Sequence, residues 1–418
     1  MPVFTSSIEV TADYPTIKPS LNLNFARSRA LDPRITFTRA SVGTYVGRDG
    51  LVKTASNDEP RFDHDPDTLE SLGLLIEESR TNTLTYSSNH QQDTTHNFLA
   101  GYTTTVHTKV TNIDPPVEGD EVWIIEDQGS GDYAIKSDGT TATGVVSYTI
   151  FVKRYDSDTV VIASHFGSSV GTFNLANGTF TNGAYGAQMI PYPNGWYKIT
   201  WTRDYSSQNR ETGITINPDP NGTGVYVSGT QIEVGSFPTS YIPTTGSSVT
   251  RAQDDAIITG ESFNSFYNQN EGSLFVESTP MYLASGINHR VCVITGDSNF
   301  TDSNAPGGIN FDYDGTTLRT ELFGGSPNSA QAGTGLTVSA GNKNKLAYGL
   351  ETNNVSVIVN GTQVGSTDTS APMPDPMTKM GIGRRPDIST TYADGIHVSS
   401  IQYYPKRLTN AQLQLLTS

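Results

Sequence analysis

Residues 224–254, GVYVSGTQIEVGSFPTSYIPTTGSSVTRAQD, constrain the fold more than any other stretch of the chain. From Val225 to Val234 bulky residues alternate with small or polar ones, the period-two pattern of a strand with one face on a core. Gly235, Pro238, Pro243 and Gly246 then break the pattern, so a strand closes one unit and a stiff joint opens the next. A chain of 418 residues has room for two or three such units. With 40 Gly, 22 Pro and only 16% charged residues, many short strands joined by turns are expected, and the fold class is all-β.

Strand-like runs recur on both sides of that joint. Before it they are Thr103–Val110, Glu121–Glu126, Val145–Arg154, Thr159–His165, Gly171–Leu175, Trp196–Arg203, Gly213–Asn217 and Val225–Val234. Runs of this length with Gly, Asn, Asp and Pro between them suit a jelly roll or related two-sheet sandwich. After the joint the grammar repeats: Asp314-Gly315 echoes Asn177-Gly178 as a turn after an aromatic strand, and Asn360-Gly361 joins Val355–Val359 to Thr362–Val364. Two tandem sandwiches are therefore expected, at residues 91–245 and 246–418. Near the C terminus Thr409 and Gln412 have capping-box spacing, and Leu408, Leu413 and Leu416 are placed to dock a short helix.

Residues 1–90 form a third segment. The first 33 residues show no sustained periodicity and would bury little surface alone. From Ile35 the pattern sharpens, with Arg48-Asp49-Gly50 between Thr44–Val46 and Leu51–Lys53 predicting a β-hairpin.

Two strings resemble a known family. FTRAS…DGLV…EPRFD…GLLIEESRTN is similar to a segment widespread in bacteriophage structural and tail-fibre proteins, and QIEVGSFPTSYIPTTGSSVTRAQD resembles the end of a β-sandwich module of phage tail and virion-surface proteins. The C-terminal GIHVSSIQYYPKRLTNAQLQLLTS resembles the last strand and helix of concanavalin A-like (laminin G-type) jelly rolls. The resemblance implies a carbohydrate-binding-module-like first sandwich, a concanavalin A-like second sandwich and an extended N-terminal assembly segment that docks on other virion proteins. It further implies a virion protein made in the host cytoplasm, a homo-oligomer that is a trimer by analogy with phage fibres, and contact with host-surface glycans. A capsid- or tail-decorating role and a polysaccharide depolymerase are the alternatives.

Charge and motifs narrow the chemistry. A formal net charge of −16 without a Lys or Arg cluster argues against nucleic acid as a partner, and no apolar run reaches membrane-spanning length, so membrane insertion is not expected. The single cysteine, Cys292, lies in the apolar run VCVIT and reads as a core residue. His64 between Asp63 and Asp65 is a poor metal site, because consecutive strand side chains alternate faces. Arg39, Arg61 and Arg80 with Asp63, Glu77 and Glu78 read as interstrand or intersubunit ion pairs.

Asp297, Asp302, Asp312 and Asp314 are the local carboxylates for Ca²⁺, without the dense ligand loop that ion prefers. Glu277 and Glu321 are the only strand carboxylates singled out for glycoside cleavage, and no nucleophile, zinc or nucleotide motif accompanies them. No catalytic, cofactor or metal residue is assigned, no cofactor is expected, and the chain is read as non-enzymatic. Trp196 and Trp201, five positions apart, should face opposite sides of one strand. One of them, or Trp123, is then a candidate for stacking a sugar ring, although closing a core or bordering a subunit contact is the commoner use of such a residue.

Overall fold

The computed structural model describes residues 14–28, 30–89, 99–100, 106–126, 134–164, 168–207, 210–220, 222–283, 288–296, 308–323, 331–373, 376–386 and 395–418. It is built from antiparallel sheets, with short helices at Gly260–Asn264 and Asn410–Thr417, so the all-β expectation holds.

The chain divides into two compact units, one spanning Thr38–Asp254 and the other made of the described residues up to Phe37 together with Asp255–Ser418. The sequence boundaries at 90 and 245 both fall inside the first of these. Residues expected to form one N-terminal segment are thus shared between the units, because their apolar side chains are buried in both cores.

The 38–254 unit is a two-sheet sandwich. One sheet runs, edge to edge, through Gln188–Tyr192, Trp196–Asp204, Val145–Arg154, Gly224–Val234, Val122–Glu126 and Val106–Val110. The facing sheet runs through Thr179–Thr181, Ser168–Asn174, Thr159–Ser164, Arg210–Asp219, Ala134–Ala142 and Leu99–Ala100. Between them lie Tyr148, Ile150, Trp201, Ile199 and Val227 from the first sheet and Val160, Ile162, Phe173, Ile214 and Ile216 from the second. Alternation along each strand delivers these residues inward, and each fully buried aliphatic chain is worth roughly 1.5–3 kcal/mol.

The first sheet's opposite face is also covered, by the chain itself. Hairpin Gly43–Val46/Val52–Ala55 turns at Gly50, whose φ of 76° meets the turn's demand. Its Val46 and Val52 join Val117, Val122, Phe151, Tyr192, Trp196 and Tyr241 in a second apolar cluster.

In the other unit, Thr362–Asp368, Val355–Val359, Asn344–Glu351, Glu271–Pro280 and Gly395–Tyr404 are neighbours in that order. A second sheet runs through Asp255–Thr259, Lys379–Ile382, Asn288–Thr295, Gly308–Asp314, Thr317–Phe323 and Gln331–Thr337. Phe311 meets Tyr348 at 4.8 Å between ring centroids, and Tyr313 Oη lies 2.9 Å from Ser278 Oγ, so the sheets share a core. At the Asn360-Gly361 turn both residues have positive φ, 46° and 80°, the geometry such a hairpin requires. The terminal helix carries the full capping box between Thr409 and Gln412, and Leu408 and Leu413 are buried with Leu416 against them.

The described residues of the N-terminal segment pair with a strand of their own chain. Leu21–Asn24 pairs antiparallel with Ser400–Tyr403, and Leu21, Leu23 and Phe25 are each 2% exposed or less. Ser20 N and Ala26 N extend the ladder to Tyr403 O and Ser399 O at 2.9 and 3.1 Å. The expected partner contacts of residues 1–13 lie outside the described residues.

Candidate functional site

The two strings that carry the phage resemblance converge on one buried cluster in the 38–254 unit. Arg39 Nη1 lies 3.1 Å from Asp254 Oδ1, and Arg61 Nη1 donates to Glu77 Oε2 at 2.6 Å. The other Arg61 amino group pairs with Asp254 Oδ2, which also accepts from Glu77 N at 2.9 Å. Ser240 joins them: its N donates to Glu77 Oε1 at 2.7 Å, and its hydroxyl donates to Oε2 at 2.6 Å while accepting from Arg61 Nη1 at 2.8 Å. Arg251 Nη2 approaches Glu77 at 3.6 Å. The side chains of Arg39, Arg61, Glu77 and Asp254 are all 0% exposed.

Each charge here meets an opposite one, which a buried charge requires. Burial pushes the Glu77 carboxyl up, but the guanidinium groups of Arg251 and Arg61 and the Ser240 hydrogen bonds outweigh it and hold Glu77 well below the usual carboxylate range. Burial likewise opposes the charge on Arg61, and Asp254 and Glu77 raise its pKa all the same.

Around this cluster, side chains satisfy a backbone that makes no regular structure. Glu233 accepts from Thr239 N and Oγ1 at 2.6 and 2.8 Å, and burial raises its pKa. Gln231 Oε1 accepts from Ile242 N at 2.6 Å, and Asn82 Nδ2 donates to Ile242 O at 2.8 Å. Arg80 pairs with Glu78, donates to Val234 O, and lies over the Phe237 ring at 4.4 Å. Its guanidinium passes so close to Gly235 that a Cβ there would sit 1.2 Å from Nη1 and displace it, and the glycine's φ of 152° also favours that residue type. The arrangement is a clasp. It ties residues 39–88 to 231–254 and can do no acid–base chemistry, because its charges are paired and closed to solvent.

Of the arginines and carboxylates grouped from the sequence, two pairs form within the chain, and the carboxylate that Arg39 and Arg61 share was not among those named. Arg61–Glu77 and Arg80–Glu78 form, but Arg39 and Arg61 both take Asp254. Asp63 instead accepts from Val46 N at 2.5 Å, His64 Nδ1 lies 3.1 Å from Val46 O, and Asp65 accepts from Asp67 N and Thr68 N in a turn. The three are spent on separate backbone contacts.

Trp196 and Trp201 do face opposite sides of their strand, and both are 1% exposed. Trp201 stacks on Tyr148 in the core at 4.9 Å, with Nε1 donating to Ser164 Oγ at 3.1 Å. Trp196 lies under the clasped hairpin and donates to Asp114 O at 2.9 Å. Trp123 is 9% exposed and donates to Glu121 Oε2 at 3.1 Å. None of them is an exposed platform.

In the other unit the candidate calcium carboxylate Asp312 is held by arginines. Arg319 Nε and Nη2 reach its two oxygens at 3.0 and 2.7 Å, Arg290 Nη1 lies 2.5 Å from Oδ2, and Asn310 Nδ2 donates to Oδ2 at 3.1 Å. Asp314 lies 3.8 Å from Arg319, while Asp297 and Asp302 fall outside the described residues. Among the described residues no group of three His, Cys, Asp or Glu side chains is placed to hold a metal ion. Glu277 pairs with Lys343 at 3.1 Å, and the Glu321 side chain is outside the described set. Cys292 is buried, its thiol pushed up to about 12 by burial.

No protein-family model matches the chain, and no curated protein matches it. Among solved structures, domain 4 of the extracellular arabinanase AbnA from Geobacillus stearothermophilus, in complex with arabinotriose, is 16% identical, with 40% of this chain and 73% of that one covered at a TM-score of 0.30. The CBM40 of the Ruminococcus gnavus IT-sialidase, bound to α2,3-sialyllactose, is 11% identical over 38% of this chain and 88% of that one, TM-score 0.30. Trypanosoma rangeli sialidase in complex with sialic acid is 10% identical over 79% and 54%, TM-score 0.30.

Proposed function

We propose that the chain is a non-enzymatic structural protein on the surface of a bacteriophage particle, a tail-fibre or adhesin-type component that contacts host-surface glycans. The observation that carries this reading is the clasp. The charged residues in the two strings that resemble phage virion proteins, from Arg39 to Asp254, are used to close a β-sandwich. Their role is to build a rigid module, as a particle component requires. The strand carboxylate Glu277 pairs with Lys343 at 3.1 Å.

A second reading, a decorating protein without a receptor, is favoured by the burial of Trp123, Trp196 and Trp201. Incubating the purified protein with host-envelope polysaccharide, while following bound protein and new reducing ends together, separates the cases. Binding without cleavage is the expected result. Cleavage that disappears in Glu277→Gln would establish a depolymerase, and folded protein that neither binds nor cleaves would favour decoration.

A further inference from the structure

The tryptophans are closed off, but another aromatic pair is not. Tyr155 is 39% exposed and meets Tyr226 at 5.2 Å between ring centroids and 61° between planes, forming an open corner at the end of the first sheet of the 38–254 unit. Tyr226 stands on the strand Gly224–Val234, opposite Lys153 on one side and Ile124 on the other, with its inner edge against the cluster around Trp196.

The corner is held by its backbone. Ser157 N donates to Gly224 O at 3.0 Å, and Gly224 N donates to Asp156 Oδ1 at 2.6 Å. The Ser157 hydroxyl, 0% exposed in its residue, reaches Asp219 O at 2.7 Å, and Thr159 Oγ1 donates to the same carbonyl at 2.6 Å. Four links thus pin residues 156–159 to 219–224. An exposed ring already seated on a half-buried one loses little entropy when a ligand covers it, which is the economy of a preformed binding surface. Isolated exposed apolar side chains are ordinary; here the exposed Tyr155 ring is held against Tyr226 on a pinned support.

We propose that the Tyr155–Tyr226 corner is a contact site for a neutral saccharide, one ring lying beneath a pyranose and the other forming a wall. The rim argues for this occupant. Lys153 stands opposite Tyr226 in the ladder, and next to Tyr155 in the chain Arg154 pairs with Asp158, with 50% and 58% of their side chains exposed, so hydrogen-bond donors and an acceptor for hydroxyl groups are close by in the chain. Both signs are present, and the chain's net charge of −16 opposes a polyanion. The inference rests on reading the chain as a glycan-contacting protein, and it assigns that contact to a place the tryptophans do not supply.

The test is affinity electrophoresis of the full chain through gels containing dextran, amylose, mannan or galactan. At least one should retard the wild type, Tyr155→Ala should weaken that retention about tenfold, as loss of an aromatic anchor does, and Tyr155→Trp should keep it. Tyr155 is exposed, so circular dichroism should show both variants folded. Retention unchanged in Tyr155→Ala would overturn this site while leaving glycan contact intact. No retention of wild type in any gel would overturn both. Concentration-dependent self-association abolished by Tyr155→Ala, without glycan retention, would mark the corner as a contact between copies and also overturn the proposal.

Discussion

Arg61 and Asp254 lie 193 positions apart and form an ion pair in which neither side chain is exposed. The pair closes the sandwich module at both ends of its chain. Asp254 also receives Arg39 and the backbone N of Glu77, so a single carboxylate gathers three separated segments.

Removing one member of this cluster strands its partners in a dry site. Arg61→Ala should therefore destabilise the 38–254 unit by about 3–5 kcal/mol, as breaking a buried ion pair does. Glu77→Ala should cost a similar amount, and the double variant less than the sum, because each single change leaves the other charge uncompensated. Urea unfolding followed by tryptophan fluorescence measures all three, and additive costs would show that the two side chains do not act together.

The N-terminal strand makes a prediction for the other unit. Deleting residues 1–26 strips away Leu21, Leu23 and Phe25, each worth roughly 1.5–3 kcal/mol when fully buried. The 255–418 portion should then unfold at markedly lower temperature by calorimetry. An unchanged transition would return this segment to a purely intermolecular role.

Asp120 supplies a pH dependence. Burial pushes its carboxyl up to about 7 against hydrogen bonds from Ser88 and Tyr241, and its Oδ2 is buried without a donor. The folded carboxyl holds a proton where the unfolded one, with an ordinary value of 3.8, has lost it. Its contribution to stability is thus full below that ordinary value and is lost as pH rises through about 7. Asp120→Asn should flatten the fall in melting temperature between pH 5 and pH 8. Parallel pH profiles for variant and wild type would contradict the assignment.

Local features were legible in the sequence. The Gly50 and Asn360-Gly361 turns, the Thr409 capping box and the opposed faces of Trp196 and Trp201 all follow from neighbours a few residues apart. The strand Ala134–Ala142 was missed because its Ser-Asp-Gly-Thr-Thr core reads as a turn; the ladder accommodates it with a register shift between Ser137 and Thr141. The choice of Asp254 by Arg39 and Arg61 was not legible, since no local pattern links positions some 200 apart in different segments. The cover over Trp196 escaped notice for the same reason: it comes from Val46 and Val52, about 150 residues upstream.

The central claim is that the tryptophan faces of this module are closed by its own chain. Labelling with 5-fluorotryptophan gives one fluorine signal for each of the three tryptophans, and the change in shift between light and heavy water reports their exposure. Single Trp→Phe variants assign the signals. All three should be protected in the wild type, and Arg61→Ala should expose Trp196 first while Trp201 stays protected against Tyr148. A solvent-exposed Trp196 in the wild type would contradict the account and restore that residue as a candidate sugar platform.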